Sequence, residues 1–222
     1  MQDLQNLEKL EIEVLELLNS IKMLDSLYFG GGTMLRLCHN LNRYSTDLDF
    51  WIQPSANPKL LYSTIRTSLQ ERYKLSDAAN KKYTMLFEFR SPSVTRNLKI
   101  EIRKEQTNFY WERKIAFSRF TNKQVMVKGL TLDQMMKNKI EAFLSRKLIR
   151  DCFDLEFLLM RGTMLTPDKN KLETMLNIIN NFKDNDFKVT LGSILEEKER
   201  SYVVQNRFSF LKEEIIRKLN QQ

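Results

Sequence analysis

Hydrophobic residues in the N-terminal part of the chain recur with two different periods. In residues 7–21 they are spaced by three and four positions with charged residues between them, which predicts an amphipathic helix. Residues 27–29 are a short apolar run and residues 48–52 contain an apolar residue at every second position, so both segments are predicted to be strands. After a break that contains two prolines, a second helical pattern at residues 60–69 predicts a helix that covers the sheet.

The alternating pattern returns in the middle of the chain. Residues 83–89 and 98–102 place apolar residues at every second position, which predicts two antiparallel strands. Residues 96–128 then mix cationic and aromatic residues, and this stretch is interpreted as rich in loops. Gly129 is interpreted as the boundary that ends the strand-forming half.

The rest of the chain has helical spacing. Residues 131–134 have the sequence of a capping box, which predicts a helix as far as about Leu148. Three further helical segments are predicted, one ending at Gly162, one beginning at Thr166–Pro167 and one at residues 208–219. These segments predict a helical bundle.

The change of period along the chain predicts an α+β protein with two domains. Residues 1–128 are expected to form an α/β domain, a small mixed sheet flanked by helices, and residues 129–222 a helical C-terminal domain. With 42% hydrophobic residues, the 222-residue chain has enough apolar material for a core.

Charge and cysteine content narrow the class of protein. The formal charge of +8 favours a polyanionic partner or substrate. Cys38 and Cys152 are far apart, without a CxxC motif or a histidine cluster, which indicates neither a zinc site nor a disulfide framework. The many acids in residues 1–19 and the lack of a long apolar run predict neither a signal peptide nor a membrane span, and a cytoplasmic location is expected.

Two short segments contain the residue types that bind phosphate and metal ions. Three glycines follow the first predicted strand and permit a turn whose backbone N–H groups face a phosphate, and Thr33 is predicted to cap the next helix. Asp47 and Asp49 lie on one face if their segment is a strand, with Cα atoms roughly 7 Å apart. Two carboxylates on one face suit a hard divalent cation.

In this order and spacing, Gly-Gly-Gly-Thr, a short helix and Arg-x-Ser-x-Asp-x-Asp resemble the first motif of the DNA polymerase β-like nucleotidyltransferases, in the form of the AbiEii/AbiGii-type toxins. The resemblance implies transfer of a nucleotide from a nucleoside triphosphate (NTP) with release of pyrophosphate, aided by Mg²⁺ or Mn²⁺. It implies that Asp47 and Asp49 are catalytic metal ligands. The nucleotide-binding residues that it implies are Gly31, Gly32, Thr33, Arg43 and Ser45.

A third carboxylate is expected on a strand beside the aspartate pair. Ile100-Glu101 resembles the second motif of the same superfamily, a hydrophobic residue followed by an acid, and implies that Glu101 is the third metal ligand. Glu88 is the competing carboxylate. A purely structural role for Glu101, as an ion-pair partner of Lys99 or Arg103, remains an alternative.

A second resemblance to the same family lies in the helical half of the chain. Lys139, followed three residues later by Ala, and the later sequence Arg-Asp-x-x-Asp-Leu resemble the remaining AbiEii-type motifs. The resemblance implies that Lys139 approaches the nucleotide phosphates and that Asp151 supports catalysis, with Asp154 as the second choice. The alternatives are a solvated helix face for Lys139, and a helix cap or an ion pair with Arg150 for Asp154.

The basic stretch bears on the acceptor of the nucleotide. Residues 96–128 contain nine Lys or Arg and three Glu, a net charge of +6, with aromatic residues among them. This mixture suits an RNA surface, with Arg113, Lys114 and Arg119 as the RNA-binding residues. The predicted acceptor is RNA, namely the 3′ end of tRNA, and the resemblance implies a phage-defence toxin with a separate cognate antitoxin. A protein or small-molecule hydroxyl as acceptor, or a pseudoenzyme that acts as an RNA-binding module, remains an alternative.

Overall fold

The fold combines a mixed β-sheet with helices, as a computed structural model that describes residues 1–221 shows. The chain divides into two compact units, Met1–Thr131 and Leu132–Gln222. The first unit contains the whole sheet and three α-helices, and the described part of the second is helical.

The sheet of the first unit has seven strands. They are β1 (Leu27–Gly30), β2 (Asp47–Ile52), β3 (Lys74–Asn80), β4 (Thr84–Arg90), β5 (Leu98–Arg103), β6 (Trp111–Phe117) and β7 (Gln124–Leu130). Their order is β3-β4-β5-β2-β1-β7-β6, so that β3 and β6 lie at the edges. The pairs β2–β5 and β1–β7 are parallel and the others antiparallel.

Helices cover one face of this sheet. They are α1 (Gln2–Ser20), α2 (Gly31–His39) and α3 (Pro58–Arg72). Phe29 and Phe50 stack at 5.0 Å in the core of this face, and Tyr62 of α3 stacks on Phe87 at 5.2 Å. Because successive residues of a strand point to opposite faces, the other face contains Asp47, Asp49 and Glu101. These two sides are called the helical face and the carboxylate face.

The carboxyl group of Glu11 is buried under the helical face. Glu11 of α1 is 1% exposed. Burial raises the pKa of Glu11 well above its ordinary value, and the negative charges of Glu8 and Asp47 raise it further, against the effect of Arg36. The folded protein therefore keeps a proton on Glu11 that the unfolded chain releases above about pH 4.5.

A Glu11→Gln variant is expected to stabilise the protein increasingly as the pH rises from 5 to 8. A folded state that binds more protons than the unfolded state loses stability with rising pH, and glutamine cannot ionise. Thermal unfolding of both proteins across this range measures the effect. Glu13→Gln, at an exposed position of the same helix, is the control. A pH-independent difference in melting temperature between Glu11→Gln and the natural protein would contradict the expectation.

The second unit contains five α-helices in its described residues. They are α4 (Leu132–Arg146), α5 (Ile149–Met160), α6 (Lys169–Asn180), α7 (Glu197–Asn206) and α8 (Ser209–Leu219), with a π-helical turn at Asp186–Leu191 and a 3₁₀ turn at Gly192–Ile194. A chain of aromatic contacts forms part of its core. Phe182 lies 6.3 Å from Phe143 and 6.2 Å from Phe187, whose ring is 5.4 Å from that of Phe208.

The structure confirms the α+β class, and it extends the sheet. The predicted strands β1, β2, β4 and β5 are present. The prediction of loops across residues 96–128 is wrong in part, because β6 and β7 form there; Gly129, taken as a boundary, lies inside β7 opposite Phe29. In β6 most of the apolar residues lie on the exposed side of the strand. The usual strand pattern, with apolar residues on the buried side and polar residues on the exposed side, is therefore absent.

Two further findings concern the cysteines and the helices. Cys38 and Cys152 are both free thiols. Among residues 1–221, no helix has the length and apolar character required to span a bilayer.

Candidate functional site

The three predicted metal ligands lie on neighbouring strands. In the parallel pairing of β2 with β5, Asp47 is opposite Lys99 and Asp49 is opposite Glu101. Paired residues of adjacent strands share a face, so these carboxylates lie together on the carboxylate face, one strand spacing of about 4.8 Å apart. Glu88 of β4 is in register with Lys99, further from the aspartate pair. The register therefore favours Glu101 over Glu88.

Cationic side chains accompany these carboxylates. Lys99 Nζ lies 3.1 Å from Glu101 Oε2, and Arg103 Nε lies 3.7 Å from Glu101 Oε1. Although desolvation lowers the pKa of Lys99, its hydrogen bond to Glu101 and the charges of Glu101, Asp47 and Asp49 raise it above the ordinary value. Lys99 therefore responds to a local concentration of negative charge, which is the environment that a divalent cation requires.

The fit of a metal ion can be judged from the donors. Carboxylate oxygens are the ligands that Mg²⁺ and Mn²⁺ prefer, and Asp47, Asp49 and Glu101 supply them from adjacent strands. As the side chains stand, no group of three His, Cys, Asp or Glu in residues 1–221 is arranged to hold a metal ion. Glu101 is instead paired with Lys99 and Arg103. Its carboxylate and its strand position fit a metal ion, but the metal would have to replace these two cations.

The three glycines at the junction of β1 and α2 allow the chain to approach β2 closely. Gly31 has a positive φ of 73°, and a methyl group there would lie 2.7 Å from Cβ of Asp49. A methyl group at Gly32 would lie 2.8 Å from Oγ of Ser45, and one at Gly30 would lie 2.5 Å from the ring of Trp51. Each glycine therefore makes room for a different side chain, which explains why the turn has three.

The helix after the glycines begins earlier than predicted. Thr33 was expected to be its cap, but α2 starts at Gly31, Gly30 occupies the N-cap position, and Thr33 lies within the first turn. Thr33 is fully buried, and its hydroxyl donates a 2.6 Å hydrogen bond to the backbone carbonyl of Asp47. Its observed role is to fix the strand that bears the aspartates against α2, and the capping prediction is wrong.

Arg43 lies beside the same turn. Its side chain is 3% exposed, its Nη1 donates a 2.9 Å hydrogen bond to the carbonyl of Tyr44, and a methyl group at Gly32 would collide with the guanidinium. The first unit thus brings together all of its predicted nucleotide-binding and metal-binding residues. The N-terminus of a helix, a buried cation and carboxylates of two strands are combined, which is an arrangement suited to a triphosphate with its metal ions.

A Gly31→Ala variant tests this close approach and is expected to lose most activity. The added methyl group meets the Asp49 side chain and forces a positive φ on alanine, which by itself costs about 1–2 kcal/mol. Gly162→Ala is a matched control, because Gly162 has φ +86° but nothing within 4 Å of the added carbon. Nucleotide binding and melting temperature should be measured for both. Equal behaviour of the two variants would contradict a role for the Gly31–Asp49 contact.

In the second unit, Lys139 is the centre of a buried ion-pair cluster. Its Nζ lies 3.2 Å from Oδ1 of Asp151 and 2.5 Å from Oδ2 of Asp154. Lys139 is 7% exposed and both aspartates are fully buried. A solvated helix face for Lys139 is therefore wrong, and Asp151 and Asp154 are both its partners.

Arg146 is a member of this cluster that the predictions missed. Its Nη2 lies 2.9 Å from Oδ1 of Asp151. The spacing of seven residues from Lys139 places both cations on one side of α4 and was the available signal. Oδ2 of Asp151 is buried and has no hydrogen-bond partner within residues 1–221. The cluster retains one acceptor that is not used inside the described structure.

The predicted RNA-binding residues do not share one surface. Arg113 and Lys114 are consecutive in β6, so they point to opposite faces of the sheet. Lys114 is on the helical side and lies 3.0 Å from Glu112, whereas Arg113 is on the carboxylate face opposite Lys128. Arg119 is exposed in the turn after β6. Only Arg113 lies on the face that contains the aspartate pair.

Comparisons with known proteins bear on the family and on the fold of the chain. The sequence profile of the family described as nucleotidyl transferase AbiEii toxin, type IV toxin–antitoxin system, matches residues 16–221. The fold is similar to that of JHP933 from Helicobacter pylori, with a TM-score of 0.57 and 17% identity over 100% of this chain and 97% of that one. A candidate nucleotidyltransferase from H. pylori has a TM-score of 0.58 and 18% identity over 100% and 98% of the two chains. No curated protein matches significantly.

Proposed function

Because this chain belongs to the family of AbiEii nucleotidyl transferase toxins of type IV toxin–antitoxin systems, and is therefore a nucleotidyltransferase, we propose that it transfers nucleotides from an NTP to the 3′ end of an RNA, with tRNA as the acceptor. The observation that supports this most directly is the register of β2 and β5, which sets Glu101 beside Asp49, together with the contact of Asp49 with Gly31.

The glycine turn and Arg43 would bind the triphosphate. Backbone N–H groups of Gly31 and Gly32 at the start of α2 would donate to the β- and γ-phosphates, aided by the positive end of the helix dipole. Arg43 would neutralise the charge that develops on the phosphates, and Ser45 would add a hydroxyl donor. Thr33 would contribute through its backbone and by holding Asp47 in place, since its hydroxyl is bonded to the Asp47 carbonyl.

Asp47 and Asp49 would hold divalent cations, Mg²⁺ or Mn²⁺, and Glu101 would join them on release from Lys99 and Arg103. When bound, such cations reduce the charge on the triphosphate and favour in-line attack by an acceptor hydroxyl with release of pyrophosphate.

Lys139 and Asp151 would support the reaction, as the family resemblance implies. Two buried carboxylates hold the ammonium group of Lys139 in a fixed position within the second unit. Asp151 and Asp154 would position Lys139. As in the family, a separate antitoxin protein is expected to counter this toxin, and phage defence is the proposed role of the pair.

The acceptor is assigned to RNA because of charge. The net charge of +6 in residues 96–128 exceeds what a small acceptor needs, and an RNA backbone offers phosphates to its exposed cations, such as Arg113 and Arg119. Lys137 and Lys147 are exposed cations of the second unit, where Arg146 is already paired with Asp151. A tRNA end also supplies a single-stranded terminus with a free hydroxyl.

The proposed reaction is tested by incubating the purified protein with each labelled NTP and total RNA, with Mg²⁺ or with EDTA. Label is expected in RNA of tRNA size, only with the metal present, and the yield should fall steeply between 50 and 200 mM salt, by about 10-fold or more, because phosphate contacts are screened. Label in protein or in a small molecule would identify the alternative acceptors. Salt-insensitive labelling of RNA would contradict the electrostatic argument.

A further inference from the structure

One side of the sheet edge exposes large apolar side chains together with cations. The residues of β6 and β7 on the carboxylate face are Trp111, Arg113, Ile115, Phe117, Gln124, Met126, Lys128 and Leu130, here called the β6–β7 platform. Trp111 and Phe117 are each 40% exposed, Ile115 48% and Met126 57%. An edge strand with exposed apolar residues is usually avoided in soluble proteins, unless it binds a partner.

The opposite edge of the same sheet shows the usual protection. β3 exposes Lys74, Asp77 and Asn80, which are polar. The apolar character of the β6–β7 platform is therefore specific to one edge, and a partner that covers it would explain the difference.

The platform lies on the face that contains the aspartate pair. Strands β2, β1, β7 and β6 are consecutive in the sheet, so β6 is three strand spacings, about 14 Å, from β2. Aromatic rings connect the two places: Trp111 lies 6.2 Å from Tyr28, which is opposite Trp51 in the register of β1 and β2. Tyr28 and Trp51 are buried and both pack against Phe109, so a packed layer of rings lies between the platform and the aspartate pair on this face.

The charge of the platform identifies the partner. Arg113 and Lys128 are opposite each other in the register of β6 and β7, and Lys128 Nζ lies 5.4 Å from the centre of the Trp111 ring. None of the eight platform residues is acidic. Rings interleaved with cations on a sheet bind single-stranded nucleic acid, because bases stack on the rings and phosphates meet the cations. A partner protein would require acidic groups opposite Arg113 and Lys128 and would not need the link to the catalytic site.

We propose that the β6–β7 platform binds the single-stranded 3′ end of the acceptor RNA. Bases would stack on Trp111 and Phe117 and phosphates would contact Arg113 and Lys128, so that the terminal hydroxyl is directed along the sheet towards Asp47 and Asp49. In sheets of this kind roughly two or three bases are stacked. This inference depends on the proposed function for its acceptor, and it adds that a blunt duplex, whose bases are already stacked, is a poor substrate.

The test compares binding of a fluorescent single-stranded RNA with that of a blunt RNA duplex. The double variant Trp111→Ala/Phe117→Ala is expected to bind the single strand about 10- to 100-fold more weakly, with nucleotide binding unchanged. Tyr202→Ala, which removes a comparably exposed ring from the helical unit, is the matched control. Met126→Glu, at an exposed position, is a second variant that adds a charge without removing a ring, and it too should weaken binding.

A spectroscopic arm uses the two tryptophans. Trp51 is buried and Trp111 is exposed, so stacked bases should quench the fluorescence of the natural protein but not that of Trp111→Phe, which keeps an aromatic ring for binding. Unchanged single-strand binding in the double variant and in Met126→Glu, or equal losses for single strand and duplex, would overturn the inference. The inference would also be overturned if the platform variants weakened binding of a protein but not binding of RNA. Failure of the proposed function would appear separately, as absence of labelled RNA with the natural protein.

Discussion

An Asp49→Ala variant is expected to lose nucleotidyl transfer by about 10³-fold while keeping its fold. Removing one carboxylate from a metal site costs several kcal/mol of charge stabilisation, and about 4 kcal/mol corresponds to 10³-fold in rate. Asp47→Ala should behave in the same way, since both carboxylates lie on the carboxylate face beside Glu101. Incorporation of labelled nucleotide into RNA and growth inhibition in cells measure the effect.

A control for this prediction is available on the same face. Glu88 lies in register with Lys99 and accepts a hydrogen bond from Asn97, so Glu88→Gln removes a neighbouring charge without touching the aspartate pair. Its activity should stay close to that of the natural protein. Full activity of Asp47→Ala or Asp49→Ala would show that the aspartate pair does not carry the reaction.

A Lys139→Ala variant is expected to destabilise the protein by about 3–5 kcal/mol and to lose activity. Removing Lys139 would leave the carboxylates of Asp151 and Asp154 buried without their shared cation, and an uncompensated buried charge is strongly destabilising. Lys137→Ala, at an exposed position of the same helix, should change stability by less than about 0.5 kcal/mol. Thermal unfolding and turnover should be measured for both variants.

The charge-preserving variant Lys139→Arg separates structure from catalysis. Arginine keeps the positive charge but presents a planar fork in place of a compact ammonium group, so stability should recover more fully than turnover. Parallel recovery of both quantities would assign Lys139 a structural role only. Equal effects of Lys139→Ala and Lys137→Ala would contradict the importance of the buried cluster itself.

The site was predictable where its geometry follows from neighbouring residues. The shared face of Asp47 and Asp49 follows from the two-residue period of a strand. The choice of Glu101 over Glu88 required a resemblance, because it depends on β5 lying parallel to β2 in one register, and the two strands are separated by some fifty residues. Pairing between distant segments is set by the whole sheet and leaves no local trace in the sequence.

The same distinction applies to the residues whose roles changed. Thr33 was expected to be a cap from its position after the glycines, yet its hydroxyl is bonded to Asp47, fourteen residues later. Lys139 could have been solvated as judged from its charged neighbours, but α5 brings two aspartates against it. In both cases the partner belongs to a different helix or strand, so the neighbouring residues in the sequence did not identify it.

By itself, the sequence determined the α+β class, the positions of α1, α3 and most core strands, and the order of the motifs that identify the family, because helical and strand periods and motif spacing are local properties. Only the tertiary structure decided that β6 and β7 complete the sheet, that Arg113 and Lys114 point to opposite faces, and that exposed rings lie on the same face as Asp47 and Asp49. These features depend on which distant strands pair and on which sides the helices cover. Hydrogen bonding and burial across the whole sheet determine both.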